Sequence, residues 1–492
     1  MDAITSSRMK AIDSNCEYLG MDPLQLMENA GAGIAREVHS RLDTGKVLFI
    51  AGRGNNGGDA FVAARHLALC DGCEVKVVLL GRSSQIRTSE AISNFRLLKH
   101  SGITEVMEIT DSLELDKLSE WKETDIIVDG ILGSGVKGSP RTLESAAIGH
   151  INDSGSFVIS IDVPSGLDVD TGEGEVSVKA SVTLTFHRPK KGLLLPNASS
   201  FIGELKVIGI GVCRDAEDLV GPGDLNNLKK RSYMAHKGNS GRVLVVGGGA
   251  YYGAPALAGL AALRAGADIV TLAVPEGIAA TVASFSPDLI VHALSGKRLH
   301  PGNVSVVSEL IKSHDVIIMG PGLGKEGATR QALKRIVPMC KKAVIDADAL
   351  HDSIISGKQD AEIILTPHSA ELSRLTYENV PEDVEGKKAL VLEFSKGMQV
   401  VTLLKGNTDI ISDGDGVKIN CTGNAGMTVG GTGDVLAGIA GALLAANNAM
   451  DAASCASFIN GAAGDLAFKE KGYGLLATDI IEMISTVMKQ EL

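Results

Sequence analysis

Residues 46–67 read KVLFIAGRGNNGGDAFVAARHL: a short apolar run, a glycine-rich turn, then apolar residues at helical spacing. Gly52, Gly54 and Gly57 satisfy G-x-G-x-x-G between a strand and a helix. Taken alone, that pattern points to a dinucleotide-binding fold. The acid expected about twenty residues on, to hold a ribose hydroxyl, is missing, because the next apolar run ends VVLLGRSS. Arg82 would suit a 2′-phosphate, although a lone surface arginine is more often simply solvated. The turn also carries Asn55, Asn56 and Asp59, more polar groups than a pyrophosphate turn needs.

Outward from this stretch, strands and helices alternate. Two helices (about 5–17 and 23–41) precede it, and EVKVVLLG, TDIIVDGILGSG and GSFVISIDVPSGLD follow as strands ending in Gly or Pro turns. Strands separated by helices imply right-handed crossovers and a mostly parallel, helix-covered sheet. Residues 213–235 are polar and lack a buried strand, so they read as a linker. From RVLVVGG (242–248) the alternation begins again. The expected division is 1–212, a linker at 213–235, and 236–492, with two α/β domains that share no motif.

The composition agrees. A chain of 492 residues exceeds one ordinary core. Aromatic residues make up only 3 %, Gly numbers 58, and the net charge is −12, which argues against a nucleic-acid surface. No N-terminal stretch pairs a basic region with an apolar core, and no apolar run reaches membrane-spanning length. Seven scattered cysteines fit a reducing, cytoplasmic setting. Cys70 and Cys73, with His66 one helical turn before, form a lone CxxC and read as a helix-ending turn, since zinc would need a second pair.

In an open α/β sheet the carboxyl ends of neighbouring strands line one crevice. Asn56, Asp129, Asp162 and Ser165 all follow such ends and are expected around one ligand. GNNGGDAFVAARHL, DGILGSG, IDVPSGLDVDTG and TFHRPKKGLLLP closely resemble the NAD(P)H-hydrate epimerase family over residues 1–212. The resemblance implies a Rossmann-like domain that interconverts the two C6 epimers of hydrated NADH or NADPH (NADHX and NADPHX). By the same resemblance Asn55, Asn56, Gly57, Gly58 and Asp59, with Asp129, Gly130, Ile131, Leu132, Gly133, Ser134 and Gly135, contact the nucleotide. Asp162 acts at the hydrate, and Asn56, Asp125 and Ser165 hold a potassium ion, an oxygen-only set suited to a hard cation.

The second half lacks GxxxxGK[ST], which excludes a P-loop. It contains instead GPGLG (320–324), TPHSAEL (366–372), LLKGNTDII (403–411) and GMTVGGTGD (426–434). A carboxylate, Asp434, ending a turn that looks like an anion cradle is the puzzle. The arrangement resembles ribokinase-like kinases, in which the glycine N–H groups receive the phosphoryl and the Asp faces the attacking hydroxyl. The helix N-terminus is then expected to keep that Asp ionised.

With Gly253-Ala254-Pro255 and His368, the match is similar to ADP/ATP-dependent NAD(P)H-hydrate dehydratase over about 236–490. That resemblance implies phosphorylation of the C6 hydroxyl, then loss of phosphate. It places Ala254, Gly322, His368 and Asp434 at the hydrate. Lys405, Gly406, Asn407, Thr408, Asp409 and Gly433 hold the adenine nucleotide, and magnesium screens the phosphoryl. Asp346 and Asp348 in VIDADAL read as caps of the next helix, metal assistance being the other reading. The chain departs from the family at Ser369-Ala370 and at Val429. The expectation is a bifunctional repair enzyme, a homo-oligomer, with a ribokinase-group small-molecule kinase fused to a nucleotide-binding domain as the alternative.

Overall fold

The computed structural model describes residues 3–135, 138–234, 236–238, 240–353 and 361–491. The chain forms two compact units, residues 1–216 and 217–492.

In the first unit, α1 (Ser6–Tyr18) and α2 (Pro23–His39) precede strand β1 (Gly45–Ala51) and α3 (Asn55–Leu67). Then come β2 (Cys73–Leu80), β3 (Glu105–Ile109), β4 (Ile126–Gly130), β5 (Phe157–Ile161), β6 (Val182–Phe186) and β7 (Glu204–Ile208). They form one parallel sheet in the order β3-β2-β1-β4-β5-β6-β7. The strands are nearly continuous runs of Val, Ile and Leu because helices cover both faces. Phe49, Phe61, Ile34 and Ile159 are buried on one face, Leu48, Ile50, Ile127 and Trp121 on the other. The order reverses between β1 and β4, and there the fold opens a crevice at the strands' carboxyl ends.

The second unit starts with β8 (Arg242–Val246), β9 (Ile269–Pro275), β10 (Ile290–Leu294), β11 (Val316–Met319) and β12 (Lys342–Ile345). It continues with β13 (Glu362–Leu365), β14 (Val401–Leu404), β15 (Asp409–Ser412) and β16 (Val417–Asn420). The sheet order is β10-β9-β8-β11-β12-β13-β14-β15-β16, with the β14–β15 and β15–β16 pairs antiparallel and the other pairs parallel. LLKGNTDII, one apolar stretch in the sequence, is thus a hairpin. The switch point lies between β8 and β11. Helix Thr432–Leu444 packs an Ala/Gly/Ile/Leu surface into the core beside Ala449–Lys471.

The stretch expected as a linker divides between the two units. Val220, Leu225 and Leu228 are buried in the core of the second, and Asp224 accepts from the Gly221 N–H and from Lys418. Three apolar residues spread among Gly and Pro show no helical period, so the sequence alone reads as polar.

Candidate active sites

In the first unit the site is built from three loops. Gly52 N–H donates to Gly130 O at 2.9 Å, tying the turn after β1 to the one after β4. A Cβ on Gly52 would stand 1.9 Å from Ile131 O, and one on Gly57 would stand 2.0 Å from Gly52 O. Those glycines are therefore packing requirements of the turn. Asn56 Nδ2 donates to Leu132 O at 3.1 Å. Asp129, fully buried, accepts from Ser160 Oγ (2.8 Å), Ser165 N (2.9 Å) and Ser165 Oγ (2.5 Å). Burial raises its carboxyl pKa, against the Ser165 hydrogen bonds that lower it.

Asp162 follows β5 in the left-handed region, at φ 61°, a conformation costly for a non-glycine residue and held by its surroundings. Its N–H donates to Leu184 O at 2.8 Å. Its Oδ1 accepts from Lys190 Nζ at 2.5 Å and Thr185 Oγ1 at 3.3 Å. Lys190 is 1 % exposed, and its Nζ also donates to Thr185 Oγ1 and Phe186 O at 3.0 Å each. Burial by itself would raise the Asp162 pKa, but Lys190 outweighs it and holds the carboxyl below its usual range.

These groups face a cavity of about 610 Å³, inside the size range of small-molecule sites. Of the residues named from the sequence, Asn55, Asn56, Asp59, Ile131, Leu132, Gly133, Ser134, Gly135 and Asp162 line it. Gly57, Gly58, Asp129 and Gly130 are buried in the elements that carry these liners. Arg82 is exposed and lies outside the cavity, whereas Arg53 and Arg87 line it. Burial, with Asp162 and Asp13 nearby, pushes the Asp59 pKa well above its ordinary value.

Asp125 is a correction. It stands at the amino end of β4, where Oδ2 accepts from Lys46 N–H at 2.9 Å. Asp129 stands four positions further along the strand, about 13 Å at a 3.3 Å rise per residue. Asp125 cannot share an ion with Asn56 and Ser165. Asp129 is the carboxylate that meets Ser165, and Leu132 O is shared by Asn56 and Ser165 Oγ. Lys190 and Asp13 went unnamed in the sequence reading. Lys190 sits in Pro189-Lys190-Lys191, which looks solvated, and Asp13 lies on a helix ahead of the first strand.

In the second unit the loops after β8, β11 and β12 stack. Gly248 N–H donates to Pro321 O at 2.8 Å, and Ala250 N–H to Gly322 O at 3.0 Å. Gly322 has φ 68°, and a Cβ there would stand 2.0 Å from Tyr251 O and 3.3 Å from the Ala254 Cβ. Ala254 and Gly322 are thereby brought together. His368 caps helix Ser369–Thr376 in a reciprocal box with Glu371, the departures at Ser369-Ala370 notwithstanding. Lys405 N–H donates to Pro367 O at 2.8 Å, beside His368.

Lys405 Nζ reaches Asp346 Oδ1 at 2.7 Å, and Thr366 Oγ1 donates to the same oxygen at 2.8 Å. Asp346 therefore does not cap the following turn, as the sequence suggested. Its carboxylate is only 2 % exposed and serves an ion pair. Asp348 accepts from Gly324 N–H at 2.9 Å. The Gly433 Cβ position lies 3.5 Å from Lys405 Nζ, which puts the ammonium beside the glycine turn. Asp409 is turned inward, accepting from Gly406 N–H (2.9 Å) and Ser457 Oγ (2.5 Å). Gly406 and Asn407 are exposed in the hairpin turn, with Thr408 half-buried.

Asp434 lies in the first turn of helix Thr432–Leu444. Burial first, then the charge of Asp346, pushes its pKa up to about 7, while Lys405 pulls it down. The helix N-terminus, worth about 0.3–1 kcal/mol at a typical site, is too weak to keep it fully ionised as expected. A carboxylate that titrates near neutrality suits a base that takes a hydroxyl proton.

Residues 23–192 match the family described as YjeF-related protein N-terminus, and residues 243–486 the family described as NAD(P)H-hydrate dehydratase. The chain is 46 % identical over 484 residues to the bifunctional NAD(P)H-hydrate repair enzyme Nnr of Archaeoglobus fulgidus, covering 98 % of both chains. It is 42 % identical over 499 residues to the protein of that name from Pyrobaculum aerophilum, covering 100 % of this chain and 99 % of that one. The crystal structure of ADP/ATP-dependent NAD(P)H-hydrate dehydratase from Bacillus subtilis, co-crystallised with ATP and Mg²⁺, is 26 % identical with a TM-score of 0.50. That match covers 56 % of this chain and 98 % of the other. Identity of 42 to 46 % over nearly the whole length, with two family matches that together span most of the chain, leads to one conclusion: the chain belongs to the family of bifunctional NAD(P)H-hydrate repair enzymes.

Proposed function

We propose that the first unit interconverts the R and S epimers of NADHX and NADPHX, and that the second dehydrates the S epimer with ADP or ATP. The observation that carries this reading is a pair of separate acid–base centres, Asp162 with Lys190 and Asp434 with Lys405 and Asp346. In the first unit the Gly52–Asn56 turn and Arg53 offer backbone donors and positive charge to the nucleotide phosphates. Asp162 faces the reduced ring.

In the second unit Asp434 takes the proton of the C6 hydroxyl as that oxygen attacks the terminal phosphoryl group. The 430–433 backbone receives the phosphoryl, and Lys405 neutralises its charge. Ala254 and Gly322 leave room for the ring, and Gly406 to Thr408 lie where the adenine nucleotide passes.

Potassium fits Asn56 Oδ1, Ser165 Oγ and Leu132 O, with Asp129 supplying the negative charge, an all-oxygen set for a hard cation. When bound, it adds positive charge beneath the nucleotide turn. Among the described residues no cluster of three or more His, Cys, Asp or Glu is arranged as a metal site. Mg²⁺ would arrive with the nucleotide and screen the transferring phosphoryl, with Asp346 and Asp434 beside Lys405 as the carboxylates near it. No described helix is long and apolar enough to cross a membrane. All seven cysteines are free thiols, which supports a cytoplasmic setting.

The test gives purified protein S-NADHX or S-NADPHX with ADP, ATP or neither and follows dihydronicotinamide absorbance. The reading requires absorbance to rise only with nucleotide. A protein that phosphorylates small hydroxylated compounds but leaves the hydrate untouched contradicts it.

A further inference from the structure

An enzyme that inverts C6 by removing and returning water must exchange protons with oxygen on both faces of the ring. One carboxylate reaches one face. The inference that follows rests on reading the first unit as an epimerase, and it concerns which group serves the second face.

The cavity has acidic groups on several walls. Glu144 is committed to Arg53 at 3.2 Å. Asp59 is buried on α3, where burial and the charges of Asp162 and Asp13 raise its pKa well above the ordinary value. Asp13 differs from both. It stands in the middle of the α1 stripe that lines the cavity, Met9, Asp13 and Glu17, spaced one helical turn apart.

That helix is fixed relative to the Asp162–Lys190 pair by backbone bonds. Ile4 N–H donates to Pro189 O and Lys191 N–H to Ile4 O, both at 2.9 Å, so the strap leading into α1 grips the chain on either side of Lys190. The Ser6 N–H and hydroxyl bind the Asp170 carboxylate at 2.8 and 2.6 Å. Asp13 thus enters the cavity from α1, while Asp162 enters from the carboxyl end of β5.

We propose that Asp13 is the second acid–base group of epimerisation, serving one face of C6 while Asp162, held by Lys190, serves the other. Burial, partly offset by Lys190 and reinforced by Asp162, moves the Asp13 carboxyl up to about 6. Asp162 stays ionised. Near neutrality one carboxyl can therefore give a proton while the other takes one.

In one direction Asp13 gives its proton to the C6 hydroxyl. The C6–O bond breaks, water leaves, and the ring-nitrogen lone pair forms N1=C6. A water on the opposite face attacks C6 and passes a proton to Asp162 as the electron pair returns to nitrogen. One hydroxyl has replaced another, nothing is oxidised or reduced, and one proton has moved from Asp13 to Asp162. The other epimer reverses the transfer.

The test uses the full chain. Asp13 faces Lys190 and Asp162 from the sheet side and Asp59 from α3, with Lys10, Cys16 and Glu17 on its own helix. Wild-type epimerisation is expected to show a pH limb near 6. Asp13→Asn is expected to lose about 10²–10⁴-fold in epimerisation without that limb, while nucleotide-dependent dehydration of the S epimer continues. Asp13→Glu should restore part of the rate with a displaced limb. A wild-type profile flat through pH 6, which needs no variant, overturns the assignment. So does Asp13→Asn epimerising near the wild-type rate. Wild-type protein that dehydrates S but never inverts R overturns the epimerase reading itself, and Asp13's role with it.

Discussion

Lys190 Nζ lies 2.5 Å from Asp162 Oδ1, with the Lys190 side chain 1 % and the Asp162 side chain 9 % exposed. The ammonium spends its other two hydrogens on Thr185 Oγ1 and Phe186 O. A buried charge with every donor engaged is a fixed electrostatic element, and it decides how Asp162 titrates.

Lys190→Met removes that compensation. Breaking a buried pair from one side typically costs about 3–5 kcal/mol, and Asp162 should shift from a depressed pKa to a raised one. Epimerisation should fall sharply while dehydration persists. The wild-type pair stabilises the fold above the ordinary carboxyl pKa, and that contribution disappears as pH falls through the depressed value. In the variant the raised Asp162 pKa has the opposite sign, relieving the buried charge as pH falls, so the stability gap between the two proteins should be larger at pH 7 than at pH 4. Chemical denaturation at pH 7 and pH 4 measures both effects, and equal stability of the two proteins at pH 7 would contradict the role.

Potassium distinguishes two aspartates on one strand. Asp125→Asn alters a surface contact to the Lys46 N–H and should leave the potassium response of epimerisation unchanged. Asp129→Asn, beside Ser165 and Asn56, should abolish it. Rates in potassium, sodium and neither decide between them, and the reverse pattern would restore Asp125.

This pair of residues also marks what the sequence makes legible. The strand alternation and the glycine turns follow from apolar runs and spacing, so the two α/β sheets are readable from residues 46–67 onward, whereas the strand order and its switch points emerge only in the fold. Asp125 and Asp129, four apart on one strand, look alike until the strand has a direction and only its carboxyl end opens into the crevice. Lys190, Asp346 and Asp13 are harder. Their significance lies in burial and in charged partners between 28 and 177 residues away, and nothing local distinguishes a buried Lys from a solvated one.

Asp434→Asn keeps the size of the side chain and removes its basicity. Dehydration should fall by about 10²–10⁴-fold, with nucleotide affinity retained and epimerisation untouched. In the wild type the rate should rise with pH through about 7, since burial and Asp346 keep the base protonated below that value. The sign for stability is opposite, because a raised carboxyl pKa makes the fold less stable as pH climbs from 4 to 7. Near-normal dehydration with poor nucleotide binding would make Asp434 a nucleotide ligand instead.

Lys405→Met should raise the nucleotide KM and lower kcat. Because Lys405 is the cation that opposes the upward shift of Asp434, the alkaline-rising limb should also move to higher pH. An unchanged limb would place the ammonium outside the reach of the base.

The central claim is that two chemistries cooperate on one chain, the first supplying the epimer the second consumes. Full-length protein with ADP or ATP, given an equal mixture of R and S hydrate, should convert all of it to NADH or NADPH. The Asp162→Ala variant should stop rapidly at the S half and then creep at the uncatalysed epimerisation rate. The extent of absorbance recovery, wild type against variant, is the measurement. Recovery stalling at half in the wild type, or running to completion in Asp162→Ala at the wild-type rate, would contradict the account.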